Sequence, residues 1–202
     1  FFSFIGSAEV GWMLRGKLAP GTRCALEHGG VAPVLLAADA DVDAAIPLLA
    51  KGGFYHAGQV CISVQRVFAH SSIVHRVATE LAAAGARMSV GDPTLETTDI
   101  GPMIRHREVD RVHQSVVNAV NSGAKLLGGG QKISASCYPP TVLLDPPADA
   151  EVSCTEVFGP VICVYTFDDI NDAISRANAL EFAFQAAVFT RDIDTALHAY
   201  RQ

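Results

Sequence analysis

The chain has 202 residues, half of them apolar and 18% charged, with a formal net charge of −6, which suits one generous domain or one domain with part of another. Acidity without a Lys/Arg cluster excludes the phosphate-neutralising surface of a nucleic-acid binder, and the apolar runs are far shorter than the ~20 residues of a membrane-spanning helix. Five cysteines, at 24, 61, 137, 154 and 163, form no C-x-x-C pair, so a reduced, cytoplasmic protein is expected rather than a disulfide scaffold or zinc site.

Ser7, after Gly6, has the form of an N-cap with Glu9 in the first turn, so a helix is expected over 7–18, broken by Gly16, Pro20 and Gly21. A short strand over 22–26 leads to the Gly29-Gly30 turn and an apolar strand over 33–37. The acidic group Asp39-Ala40-Asp41-Val42-Asp43 caps a helix running from 42 into Gly52-Gly53. Around 57–61 the helical pattern gives way to a loop. Residues 64–70 alternate as a strand and 73–87 form an Ala-rich amphipathic helix. A long helix over 105–121 ends at Gly123, a natural C-cap. Strands follow at 126–127 and 138–144, then the continuous apolar run 161–167, of the kind buried on both faces. A helix over 169–180, a strand over 185–190 and a final helix from 192 complete the pattern. Strands alternating with helices predict an α/β fold with a mostly parallel sheet flanked by helices. The start at Phe1-Phe2, without Met, and the uncapped final helix lead us to expect a piece of a longer polypeptide, truncated at both ends.

Three places could carry chemistry. Cys61 sits in the polar, flexible Gly58-Gln59-Val60-Cys61 approach that a nucleophilic thiol needs, although a cysteine between Val60 and Ile62, taken alone, reads first as packing. Glu27 ends a strand and precedes Gly29-Gly30, where a carboxylate points to the usual ligand crevice of an α/β sheet or is simply solvated. In Glu156-Val157-Phe158-Gly159-Pro160 an acid could accept hydrogen bonds from sugar hydroxyls and a ring could pack on a flat cofactor, or the segment is only a turn. Gly6-Ser7 opens a helix, a place that favours phosphate. Arg66, on a strand, reads as a surface residue or ion-pair partner. The seven histidines form no ligand set, and His106 with His113 reads as a solvated helix face, so no metal is expected.

Together these motifs resemble the aldehyde dehydrogenase superfamily: Phe4-Ile5-Gly6-Ser7, Leu26-Glu27-His28-Gly29-Gly30, Gly58-Gln59-Val60-Cys61, Val90-Gly91-Asp92-Pro93, Gly101-Pro102 and Glu156-Val157-Phe158-Gly159-Pro160, with Glu27 and Cys61 34 residues apart. The resemblance implies oxidation of a small aldehyde to an acid with NAD or NADP, Cys61 as nucleophile and Glu27 as general base. It implies that Glu156 holds a cofactor ribose, that Phe158 lies beside the nicotinamide and that Gly6 and Ser7 lie near the pyrophosphate. Residues 1–28 would be the tail of a cofactor-binding domain and 29–202 a thiol-bearing catalytic domain lacking its C-terminal segment, within a homo-oligomeric parent. The isolated chain is then expected to have little activity. A non-catalytic relic of the superfamily and a cofactor-free thiol hydrolase are the competing readings. His28 and Val31 depart from the family pattern, which commonly has Leu and Lys there.

Overall fold

The computed structural model describes residues 1–181 and 184–202. Its first element is one the sequence reading missed, a strand β1 (Phe2–Ile5) whose residues alternate between half-buried and exposed. Helix α1 (Ala8–Arg15) follows, with Ser7 as its N-cap and its oxygen accepting from the Val10 N–H at 3.4 Å. It stops short of the expected 18, because Gly16 already closes the last turn onto the Trp12 carbonyl. Strand β2 (Cys24–Glu27) pairs parallel with β1, setting Ile5 opposite Glu27. These three elements form a separate two-stranded sheet with its crossover helix.

Residues 28–31 carry the chain into a six-stranded sheet. Its strands are β3 (Ala32–Leu36), β4 (Val64–His70), β5 (Lys125–Gly128), β6 (Thr141–Leu144), β7 (Val161–Phe167) and β8 (Ala187–Phe189), in the order β5-β6-β7-β4-β3-β8. Every neighbouring pair is parallel except β5 with β6. The α/β class and the mostly parallel sheet are as expected. Helices α2 (Val42–Phe54), α3 (Val74–Ala86), α4 (His106–Asn121), α6 (Ile170–Ala177) and α7 (Ile193–Arg201) match the periodic segments, and the single turn α5 (Glu151–Cys154) was not foreseen. Asp41 caps α2 by accepting from the Ala44 N–H at 3.1 Å, and Gly123 takes φ +111° beyond α4. The strand expected over 138–144 begins only at Thr141, since Pro139 and Pro140 have no N–H to give a ladder.

Helices cover both faces of the large sheet. Ile162 of β7 lies under α2, where a Cβ on Gly53 would stand 2.4 Å from its Cδ1. On the alternate face, Arg176 of α6 lies over the rings of Phe68 and Tyr165. Strand β4 does not alternate as expected, because its first six residues are all buried. Leu36, Leu49, Phe54, Val67, Leu81 and Ile162 are essentially inaccessible, each worth about 1.5–3 kcal/mol of apolar transfer.

Arg66 corrects the sequence reading most clearly. It is only 3% exposed, and its hydrogen-bond partners among the described residues are backbone carbonyls rather than a carboxylate. Its guanidinium donates to Val31 O at 3.2 and 3.0 Å, to Arg176 O at 3.1 Å and to Ala177 O at 2.9 Å. The cation thus closes the C-terminus of α6, where the helix dipole is negative, and holds the crossing between the two sheets.

Candidate active site

The loops singled out by sequence meet where the two sheets adjoin. Glu27 ends β2 and is exposed, and its carbonyl accepts from the Gly6 N–H at 3.2 Å. Gly6, Ser7 and Glu27 therefore share the carboxyl end of the two-stranded sheet. Two residues on, Gly29 lies flat against Glu156: a Cβ at Gly29 would stand 1.8 Å from Glu156 Oε1, so only glycine admits the carboxylate there. Gly30, Val60, Ser63, Glu156 and Phe158 line one cleft. That cleft opens at the amino ends of β3, β4 and β7, opposite to the carboxyl-end crevice of most open α/β sheets, and β2 alone presents its carboxyl end to it.

Cys61 is exposed on the loop between the cleft-lining Val60 and Ser63. The loop is built by an unusual entry. After α2, His56, Ala57 and Gly58 all adopt left-handed backbone, with φ of 50°, 55° and 68°. Such geometry costs an L-residue about 1–2 kcal/mol, and Gly58 is required on a second count, since a Cβ there would meet Gly159 O at 2.0 Å. Gln59 then clamps the turn: its amide donates to His56 O at 3.1 Å and its oxygen accepts from the Ile104 N–H at 2.9 Å. From the far side Gln185 donates to Ile62 O at 2.9 Å.

Glu156 and Phe158 project from a strand-entry loop in which Phe158 takes φ +48° and stays 39% exposed. Burial pushes the Glu156 carboxyl above the usual carboxylate range, and the charges of Arg111 and His28 draw it part of the way back. Its Oε1 is buried with no hydrogen-bond partner among the described residues. A buried acceptor left open in this way is chemically disposed to receive a hydroxyl donor from a ligand. His28, which follows Glu27 in the chain, acts electrostatically on Glu156. The sequence reading missed Gln65 and Arg111, which hold this loop; the loop atoms they bond lie at least 46 residues away in the chain, and no local motif marks them. Cys163 is packing, as read, with its thiol pushed up to about 12 by burial. Cys137 is buried, Cys24 half-buried and Cys154 exposed. Among the described residues no three His, Cys, Asp or Glu side chains gather to hold a metal ion, and no helix is long and apolar enough to cross a membrane.

An α/β protein thus carries an exposed thiol on a loop beside a cleft that holds a buried carboxylate oxygen with no partner among the described residues. The sequence matches the aldehyde dehydrogenase family over residues 1–202, and the chain belongs to that family. It is 39% identical over 201 residues to the 3-sulfolactaldehyde dehydrogenase of Priestia aryabhattai, covering 100% of this chain and 42% of that protein. It is 36% identical over 196 residues to the NAD(+) benzaldehyde dehydrogenase of Pseudomonas putida, covering 96% and 40%. Among solved structures, glyceraldehyde-3-phosphate dehydrogenase GapN from Methanocaldococcus jannaschii, complexed with NADP, superposes with a TM-score of 0.93 at 36% identity, covering 98% of this chain and 43% of that one. The chain therefore spans about two-fifths of the length of these relatives.

Proposed function

We propose that this chain is the thiol-bearing portion of an NAD- or NADP-dependent aldehyde dehydrogenase, with 1–28 as the tail of the cofactor domain and 29–202 as the catalytic domain. The reading is carried by exposed Cys61 on a loop that borders the same cleft as Gly30 and Glu156, in a chain matched to the family end to end. The residues present fit a dinucleotide. Glu156 offers a carboxylate oxygen with no partner among the described residues for a ribose hydroxyl, Phe158 offers a ring at the cleft, and Gly6-Ser7 leads into the positive dipole end of α1. When bound, the nicotinamide supplies the acceptor for the two electrons the aldehyde loses.

The chain's own residues account for the remaining steps. The Cys61 thiolate adds to the aldehyde carbon, giving a thiohemiacetal whose oxyanion is held in part by the Cys61 backbone N–H. Oxidation leaves a thioester on Sγ. Glu27 takes a proton from water, the hydroxide adds to the thioester carbonyl, and the acid is released as the Cys61 thiolate leaves. Keeping Glu27 favours hydrolysis over transfer to a second thiol.

The test is kinetic. In the full-length protein Cys61→Ser is expected to abolish aldehyde-dependent NAD(P)H formation. Glu27→Gln is expected to keep a single burst of NAD(P)H and lose the steady state, because acylation survives and hydrolysis does not. Turnover retained in Cys61→Ser would sink the reading.

A further inference from the structure

We infer that Gln65 is a positioning residue that sets the Glu156–Phe158 loop for the dinucleotide and locks it to the strand that follows Cys61; this rests on the cofactor role given above to Glu156. Three observations converge. The β3–β4 register steps from Ala32 opposite Val64 to Pro33 opposite Arg66, so Gln65 is the extra residue of a bulge, the device by which a strand re-aims a side chain next to a site. Gln65 is 4% exposed, and its whole amide is committed. The NH2 group donates to Val152 O and Thr155 O, both at 2.8 Å, and the oxygen accepts from the Val157 N–H at 2.9 Å.

Two of those bonds bracket Glu156 on either side along the chain. The Glu156 Oε1 has no hydrogen-bond partner among the described residues, so the aim of the carboxylate depends on the backbone that Gln65 holds. Arg111 adds an anchor on the other side, donating to Val157 O at 2.6 Å. The nearest substitutes each lose part of this arrangement. Glutamate lacks both donors, methionine lacks every polar atom, and asparagine is one methylene short of the loop.

The experiment compares Gln65→Met with the wild type in the full-length protein. It reads amide hydrogen exchange over 155–159 and over β7, together with the Kd for NADH and NADPH by fluorescence titration. The variant is expected to exchange at least about tenfold faster over 155–159, with β7 unchanged, and to raise the Kd of the preferred dinucleotide by about tenfold or more. Faster exchange with an unchanged Kd makes Gln65 merely structural and overturns the inference, as does loosening that includes β7, or no change in either quantity. If Gln65→Met does not fold, Gln65→Asn is read by the same criteria. A wild type that binds neither dinucleotide refutes the proposed function itself, an outcome visible before any variant is made.

Discussion

Replacing Gly58 with alanine probes the turn that delivers Cys61, and its cost follows from two separable terms. Gly58 has φ +68°, and the new Cβ would lie 2.0 Å from Gly159 O and 2.3 Å from Gly159 C. The left-handed backbone costs about 1–2 kcal/mol, reduced by about 0.4–1 kcal/mol through the stiffer unfolded chain. Pushing two backbone segments apart in a packed region adds about 1–3 kcal/mol. The sum is about 1–4.5 kcal/mol, which for a domain of this size lowers Tm by about 2–18 °C. Gly21→Ala is the control: its φ is +82°, but nothing lies within 4 Å of the added Cβ, so only the conformational term applies, about 1 kcal/mol or less. Urea unfolding and calorimetry of both variants give the comparison. Equal losses in the two variants, or a Gly58→Ala Tm within a degree of wild type, would refute the argument that Gly159 leaves no room.

Arg66→Met leaves the carbonyls of Val31, Arg176 and Ala177 without their donor; relief of the buried charge offsets part of this, and a net loss of about 2–4 kcal/mol in urea is expected. Glu156→Gln should raise Tm at alkaline pH and lose its advantage in acid. The folded carboxyl titrates above its unfolded value, so its penalty is absent below the unfolded pKa and grows as pH rises through the folded one; a Tm difference independent of pH would count against the buried carboxylate. With iodoacetamide at neutral pH, mass spectrometry of peptides should find exposed Cys61 modified and buried Cys163 untouched until the protein is unfolded. Labelling of Cys163 in the native protein would show that β7 is not where the structure puts it.

Much of this architecture was readable because its signals are local. Ser7 and Asp41 cap helices from a few residues away, Gly123 terminates α4 in left-handed backbone, and the apolar run 161–167 forms the buried strand its composition implies. The motifs around Glu27, Cys61 and Glu156 were readable too, as was their order. What stayed hidden depends on distant partners. Arg66 looked like a surface charge because the three carbonyls that neutralise it belong to residues 31, 176 and 177. Gln65 gave no signal because its task lies 87 to 92 residues further on. The left-handed turn at 56–58 was hidden for another reason: His56 and Ala57 rarely take that conformation, and the packing around them imposes it. Strand β1, four residues long, is too short for its period to stand out.

Glu27 and Cys61 ride on different plates. The acid belongs to the small sheet and the sulfur to the large one, with 28–31 as the strap between them and Arg66 gripping the strap at Val31. The separation of Glu27 from Cys61 is therefore set by how the two sheets join, through the 28–31 connection, the hold of Arg66 on Val31 and the close seat of Gly29 against Glu156.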